Sequence, residues 1–231
     1  MRKGTIVENL NAVRERIVTC CRASGRDPAS VMLLAVSKTR PAVDLRAAYD
    51  AGQRHFGENY LQEALEKLGE LADLDICWHF IGPLQSNKTR AAAEAFHWIH
   101  SVDRLKIAQR LSAQRPARMP PLNICLQVNI DCEESKSGVA PDRVAELAAA
   151  VAQLPNLKLR GLMAIPAARQ DAAAQRQPFA RLAELLQQLR AQLPEHPLDT
   201  LSMGMSGDME AAIECGATIV RIGTDIFGAR D

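Results

Sequence analysis

Aromatic side chains are scarce here: two tryptophans, two tyrosines and five phenylalanines in 231 residues. So few rings leave little material for the stacking platforms that bind single-stranded nucleic acid. An excess of one charge is also missing, with 28 lysines and arginines against 27 aspartates and glutamates. That balance argues against nucleic-acid or membrane partners, which call for a basic stripe or block. No stretch approaches the ~18 unbroken apolar residues of a membrane span, and residues 1–11 lack the apolar centre of a secretory leader. The six cysteines (Cys20, Cys21, Cys77, Cys125, Cys132, Cys215) form no CxxC pair and no Cys/His pair at zinc spacing. Neither a disulfide framework nor a metal site is therefore assigned, and the expectation is a cytoplasmic protein with cysteines as small buried hydrophobes. Walker-type, HExxH and GxGxxG segments are absent as well.

What the chain does have is rhythm. Ile6, Leu10, Val13, Ile17 and Cys21 recur at steps of four and three, which predicts an amphipathic helix over roughly 4–24, closed by Gly25. Eight short runs rich in Val, Ile and Leu follow, at 31–36, 54–56, 78–81, 98–102, 122–130, 157–163, 201–205 and 218–222. Helical patterns separate them, at 41–52, 60–71, 87–96, 104–114, 141–154, 178–193 and 208–215. Alternating strands and helices imply a parallel sheet with helical crossovers. No linker or charge block divides residues 1–231, so the expectation is one domain, with residues 1–25 as a helix packed on it. Eight strands favour a single closed (β/α)8 TIM barrel, with an open doubly wound sheet as the rival.

Either architecture puts ligand groups at the carboxyl ends of the strands. The first strand runs into Ser37-Lys38, and an amine at that mouth is either a solvated strand end or a nucleophile for an aldehyde. The seventh runs into Met203-Gly204-Met205-Ser206-Gly207-Asp208 and the eighth into Arg221-Ile222-Gly223-Thr224. Glycines beside hydroxyl residues at strand-to-helix turns expose backbone N–H groups, which suits a phosphate at the place where barrels usually bind one. Ordinary turn and cap chemistry is the plainer alternative. A lysine on strand one facing a phosphate cradle on strands seven and eight points to a phosphorylated aldehyde.

Several longer segments carry a family resemblance: Ala35-Val36-Ser37-Lys38-Thr39, Phe56-Gly57-Glu58-Asn59-Tyr60, Trp78-His79-Phe80-Ile81-Gly82, Leu84-Gln85-Ser86-Asn87-Lys88, Gly161-Leu162-Met163, 201–208 and 221–224. In these the chain resembles the pyridoxal phosphate (PLP) homeostasis proteins, single barrels of the fold type III PLP-binding class similar to the N-terminal domain of alanine racemase. The resemblance implies that Lys38 carries PLP as a Schiff base. It implies that Ser206, Gly223 and Thr224 hold the phosphate, that Arg221 faces the pyridine nitrogen, and that Met203 and Asn59 line the pocket. It further implies a PLP carrier in vitamin B6 homeostasis that supplies apo-PLP-dependent enzymes, not a catalyst.

A weak PLP-dependent amino-acid racemase is the alternative, and a PLP-independent barrel acting on a phosphosugar is a third reading. Racemases of this fold use a lysine and a tyrosine as opposed bases, the tyrosine coming from a second domain. The chain's tyrosines, Tyr49 and Tyr60, both fall on expected helices, and with no second domain the expected state is a monomer. His55, His79, His97 and His100 read as structural or rim residues, and Glu58 as a solvated loop carboxylate or a pocket acid. The segment 129–138 also resembles the family; its Lys136 is either a mobile surface lysine or a station for PLP in transit.

Overall fold

The computed structural model describes residues 4–133 and 136–229. Eight parallel strands close into one barrel in sequence order: β1 (Met32–Val36), β2 (His55–Glu58), β3 (Cys77–Phe80), β4 (Trp98–Val102), β5 (Leu122–Gln127), β6 (Leu157–Met163), β7 (Thr200–Ser202) and β8 (Ile219–Ile222). The open-sheet rival is excluded by the pairing of β8 with β1, Leu34 opposite Arg221 and Ala35 opposite Ile222.

Helix α1 (Ile6–Ala23) precedes the barrel and starts in a capping box, Thr5 accepting from Glu8 N–H while the Glu8 carboxylate accepts from Thr5 N–H. The crossover helices are α2 (Ala42–Asp50), α3 (Leu61–Glu70), α4 (Thr89–Ala95), α5 (Leu105–Gln114), α6 (Val144–Ala152), α7 (Ala172–Gln192) and α8 (Met209–Glu214), and a short α9 (Thr224–Phe227) follows β8. Helix α1 lies across the seam where the barrel closes. Its Arg16 pairs with Glu210 of α8 and Asp225 of α9, and Arg14 donates to Ala51 O at the end of α2.

Three expected boundaries move. Pro178 lies inside α7 instead of opening it, because Asp171 caps an alanine-rich first turn by accepting from Ala174 N–H. Strand β5 ends at Gln127, short of residue 130, since Val128 and Ile130 continue the apolar run by packing into the core beyond the ladder. Strand β7 ends at Ser202 because Gly204, at φ +94°, turns the chain; a Cβ there would stand 2.6 Å from Ala212 Cβ on α8.

Alternation along each strand sorts side chains into two cores. Outward residues such as Phe56, Phe80, Ile99, Met203 and Val220 join the large core between sheet and helices. Inward residues form a smaller cluster inside the barrel: Leu34, Ile81, Trp98, Cys125, Met163 and Ile219, with Met32, Val36 and Cys77 against them. The inward phase is the one that runs out into the site.

Candidate functional site

Extended beyond its last ladder residue, the inward phase of β1 (32, 34, 36) arrives at Lys38, that of β2 at Asn59, and that of β8 (219, 221) at Gly223. These residues meet in one cavity at the carboxyl ends of the strands, lined also by Ser206, Arg221 and Thr224. Six of the seven cofactor residues expected from sequence thus share one site.

Met203 does not. It is fully buried in the outer core, one residue out of phase with inward Ser202, and Met205 lines the cavity in its place. Gly207, of the expected turn after strand seven, also lines it, as do Arg40 and Ile165, which were not singled out in the sequence. Arg40 could have been suspected as a second cation two residues after Lys38. Its guanidinium donates to Gly228 O at 2.6 Å and Ala229 O at 2.9 Å, which ties the segment after α9 to the rim.

The turn carrying Lys38 is clamped from behind. Ser37 Oγ donates to Glu58 Oε1 at 2.6 Å, and Lys67 Nζ donates to Ser37 O at 2.7 Å and Glu58 Oε1 at 2.9 Å. Thr39 N–H donates to Glu63, which also receives Lys67. Glu58 is therefore neither a solvated loop carboxylate nor a pocket acid. It is out of phase, fully buried beneath α3, and burial pushes its carboxyl up against the opposing pull of Lys67 and Ser37.

On β8, the strand next to β1, Arg221 is buried, donating through Nη1 to Ser202 Oγ and through Nη2 to Ala164 O, both at 2.9 Å. Burial lowers its guanidinium to about 10, so it remains a cation at neutral pH. Ser206 Oγ and Asn59 Oδ1 are buried in the cavity wall and have no hydrogen-bond partner among the described residues. The first N–H groups of α9 lack intrahelical acceptors, as at any helix start. Orphaned oxygens on one side, open N–H groups and a fixed cation on the other describe a site for an anionic, polar ligand.

His79 and His100 are not rim residues. Both are fully buried inside the barrel, because residues 77 and 79 lie in the inward phase of β3, and 98 and 100 in that of β4. They complete an unbroken hydrogen-bond chain: Ser202 Oγ to His100 Nδ1 at 2.8 Å, His100 Nε2 to His79 Nδ1 at 2.9 Å, His79 Nε2 to His55 Nδ1 at 3.0 Å. Burial, and then the neighbouring Arg221 charge, lowers His100 to about 3, and burial holds His79 far below its ordinary value. Arginine offers no acceptor, so Ser202 accepts from Arg221. The direction of the three contacts beyond it follows the tautomers of His100, His79 and His55. His97, exposed, accepts from Trp78 N–H through Nδ1 at 3.0 Å.

A second cavity adjoins the first through Asn59, Ile81 and Ile165, and Lys136 lines it, paired with Glu133 at 2.8 Å. Of the segment 129–138, Glu134 and Ser135 lie outside the described residues. Neither tyrosine lines the first cavity: Tyr60 is exposed ahead of α3, and the Tyr49 ring packs under Arg54 at 3.8 Å. The cysteines are all free, and Cys132 is exposed where a buried hydrophobe was expected. Among the described residues no helix is long and apolar enough to cross a membrane.

A closed, eight-stranded parallel β/α barrel preceded by a helix is the fold of the alanine racemase N-terminal domain, whose family model matches residues 9–231. The pyridoxal phosphate homeostasis protein of Pseudomonas aeruginosa is 65% identical, with 99% of this chain and 97% of that one covered. Its Escherichia coli K12 counterpart is 53% identical over 98% of this chain and 97% of that one. The solved structure of PipY from Synechococcus elongatus with PLP bound superposes at a TM-score of 0.85, at 41% identity, covering 97% of this chain and 100% of that one. The chain belongs to the family of pyridoxal phosphate homeostasis proteins.

Proposed function

We propose that the chain binds PLP covalently on Lys38 and serves intracellular PLP homeostasis by supplying the cofactor to apo-PLP-dependent enzymes. One observation carries the reading: Ser206 Oγ, buried in the wall of the cavity that Lys38 and Arg221 share, has no partner among the described residues. A buried hydroxyl left unpaired costs free energy that a bound phosphate oxygen recovers. Ser206 with Gly223 and Thr224 binds the phosphate, Arg221 faces the ring nitrogen, and Asn59 lines the pocket. The flat approach at Gly223 fits this, since a Cβ there would already stand 3.1 Å from Val36 O.

When bound, PLP supplies an aldehyde that condenses with an amine and a ring that accepts electrons. The protein then works through its own groups. The Ser37–Glu58–Lys67 clamp holds the Lys38 backbone, which orients the amine toward the cavity. Arg221, locked by Ser202 and Ala164, keeps a cation beside the ring nitrogen and disfavours a proton there. That arrangement suits holding the cofactor better than carbanion chemistry. A racemase needs a second base opposite the lysine, and Tyr49 and Tyr60 both lie outside the cavity lining. The carrier reading is therefore preferred to catalysis.

The experiment loads the protein with PLP, mixes it with an apo-enzyme, and follows reactivation with and without a trap for free PLP. Reactivation that survives the trap supports supply by direct transfer; reactivation abolished by the trap reduces the protein to a reservoir. Turnover of D- or L-amino acids by the loaded protein overturns the non-catalytic reading.

A further inference from the structure

The amino-terminal end of the barrel, opposite the PLP pocket, gathers donors that the proposed carrier role does not use. Strands β2 and β3 pair with His55 directly opposite Cys77, and both point inward. His79, two residues on, shares the face of Cys77. Register therefore brings together three soft or borderline donors that are 2 and 24 positions apart in the chain. His79 Nε2 lies 3.0 Å from His55 Nδ1 and 3.5 Å from Cys77 Sγ, and all three donor atoms fall within 4.8 Å of one another. Among the described residues this is the one such group of three.

We propose that His55, Cys77 and His79 bind a zinc ion, with a water or an exogenous ligand in the fourth position. Zinc–nitrogen and zinc–sulfur bonds of about 2.05 and 2.3 Å at tetrahedral angles separate two nitrogens by about 3.3 Å and nitrogen from sulfur by about 3.6 Å. The observed edges need to open by only a few tenths of an ångström. The donor set, two imidazoles and a thiol, selects against magnesium and calcium, which take oxygen ligands.

Orientation and access fit as well. The His79 ring is stacked on Trp98 at 5.4 Å and 12°, which fixes the direction of Nε2. Its Nδ1 meets His100 Nε2 at 2.9 Å, the outer-shell contact that metal-binding histidines characteristically make. His55 and Cys77 are half-buried, so an ion and a water can enter from the end of the barrel. Binding breaks the His79–His55 hydrogen bond and the Cys77 S–H bond, forms one Zn–S and two Zn–N bonds, and releases one proton to solvent. It also places the remaining His79 proton on Nδ1, so His79 donates to His100 Nε2, His100 donates to Ser202 Oγ, and Ser202 receives from both His100 and Arg221. One hydroxyl thereby joins the ion at one end of the barrel to the cation of the PLP pocket at the other.

The test uses the full chain loaded with PLP, titrated with Zn2+ against a chromophoric chelator and, separately, with Co2+ as a spectroscopic substitute. One equivalent is expected to bind, release one proton, and give a thiolate-to-cobalt charge-transfer band. Cys77→Ser is expected to remove the band and proton release and weaken Zn2+ binding by at least the about 10–100-fold seen for outer-shell partners. Cys132→Ser, at the exposed cysteine, is expected to retain all three. Absence of a thiolate band in the wild-type protein overturns the proposal without reference to any variant. So does a band that survives Cys77→Ser in a protein of unchanged circular dichroism.

Discussion

Arg221 Nη1 donates to Ser202 Oγ at 2.9 Å, and that one contact orients the cation of the pocket and joins it to the histidine chain behind it. Ser202→Ala would leave Arg221 Nη1 and His100 Nδ1 without this partner in the barrel interior. The expected cost is about 1–3 kcal/mol of stability, read as a lower urea midpoint. PLP affinity should fall as well, because Arg221 loses one of its two anchors. A purely structural Ser202 would lower the midpoint and leave PLP affinity unchanged.

Lys38→Ala should abolish the visible absorbance of lysine-bound PLP while leaving the fold intact, as judged by circular dichroism. Ser206→Ala should keep the absorbance and weaken PLP binding. Loss of a hydrogen bond to a charged phosphate, about 1.5–3 kcal/mol, corresponds to roughly 10–100-fold in affinity. Equilibrium titration of both variants separates covalent attachment from phosphate binding.

The two methionines flanking Gly204 offer a test of phase. Met203→Ala opens a hole in the outer core and should cost about 2–5 kcal/mol with little direct effect on the pocket. Met205→Ala, at the exposed rim, should change stability by less than about 0.5 kcal/mol but speed PLP dissociation. Paired thermal melts and dissociation kinetics check the inversion.

Asp131, after β5, accepts from Arg169 and from Ala167 N–H, both at 2.6 Å, and so pins the segment after β6. Burial opposes ionisation here, but these two donors outweigh it and hold the Asp131 carboxyl below 3.8. A depressed carboxyl stabilises the fold above its unfolded value and ceases to do so as pH falls through the folded one. Wild-type stability should therefore drop below pH 3.8, and Asp131→Asn should flatten that part of the profile. At pH 7 the variant should lose about 1 kcal/mol, since Arg169 is partly exposed. Urea melts across pH 2.5–7 provide the comparison.

Most of the site could be read from the chain because its residues continue local patterns. Lys38, Asn59 and Gly223 extend strands whose alternation is visible in β1, β2 and β8, and the glycine–hydroxyl turns after β7 and β8 declare an anion cradle. Met203 was misplaced because the turn at Gly204 shortens β7, and the backbone conformation that ends a strand is not written in hydropathy. Glu58 was misread for a related reason: its neighbour Asn59 faces the pocket, so Glu58 must face the helices. The histidines read as structural or rim residues, and only the structure separates buried His79 and His100 from exposed His97, because their partners lie on other strands.

Period and punctuation along the chain were enough to read eight strands and alternating helices, and with them the carboxyl strand ends, Lys38 among them, as the place for a ligand. These rest on interactions within a few residues, which spacing records directly. Closure of β8 onto β1, the pairing of His55 with Cys77, and the line from Arg221 through Ser202, His100 and His79 were decided by tertiary structure. Each depends on register between strands distant in sequence, and register follows from packing of the whole barrel, with no counterpart in local periodicity.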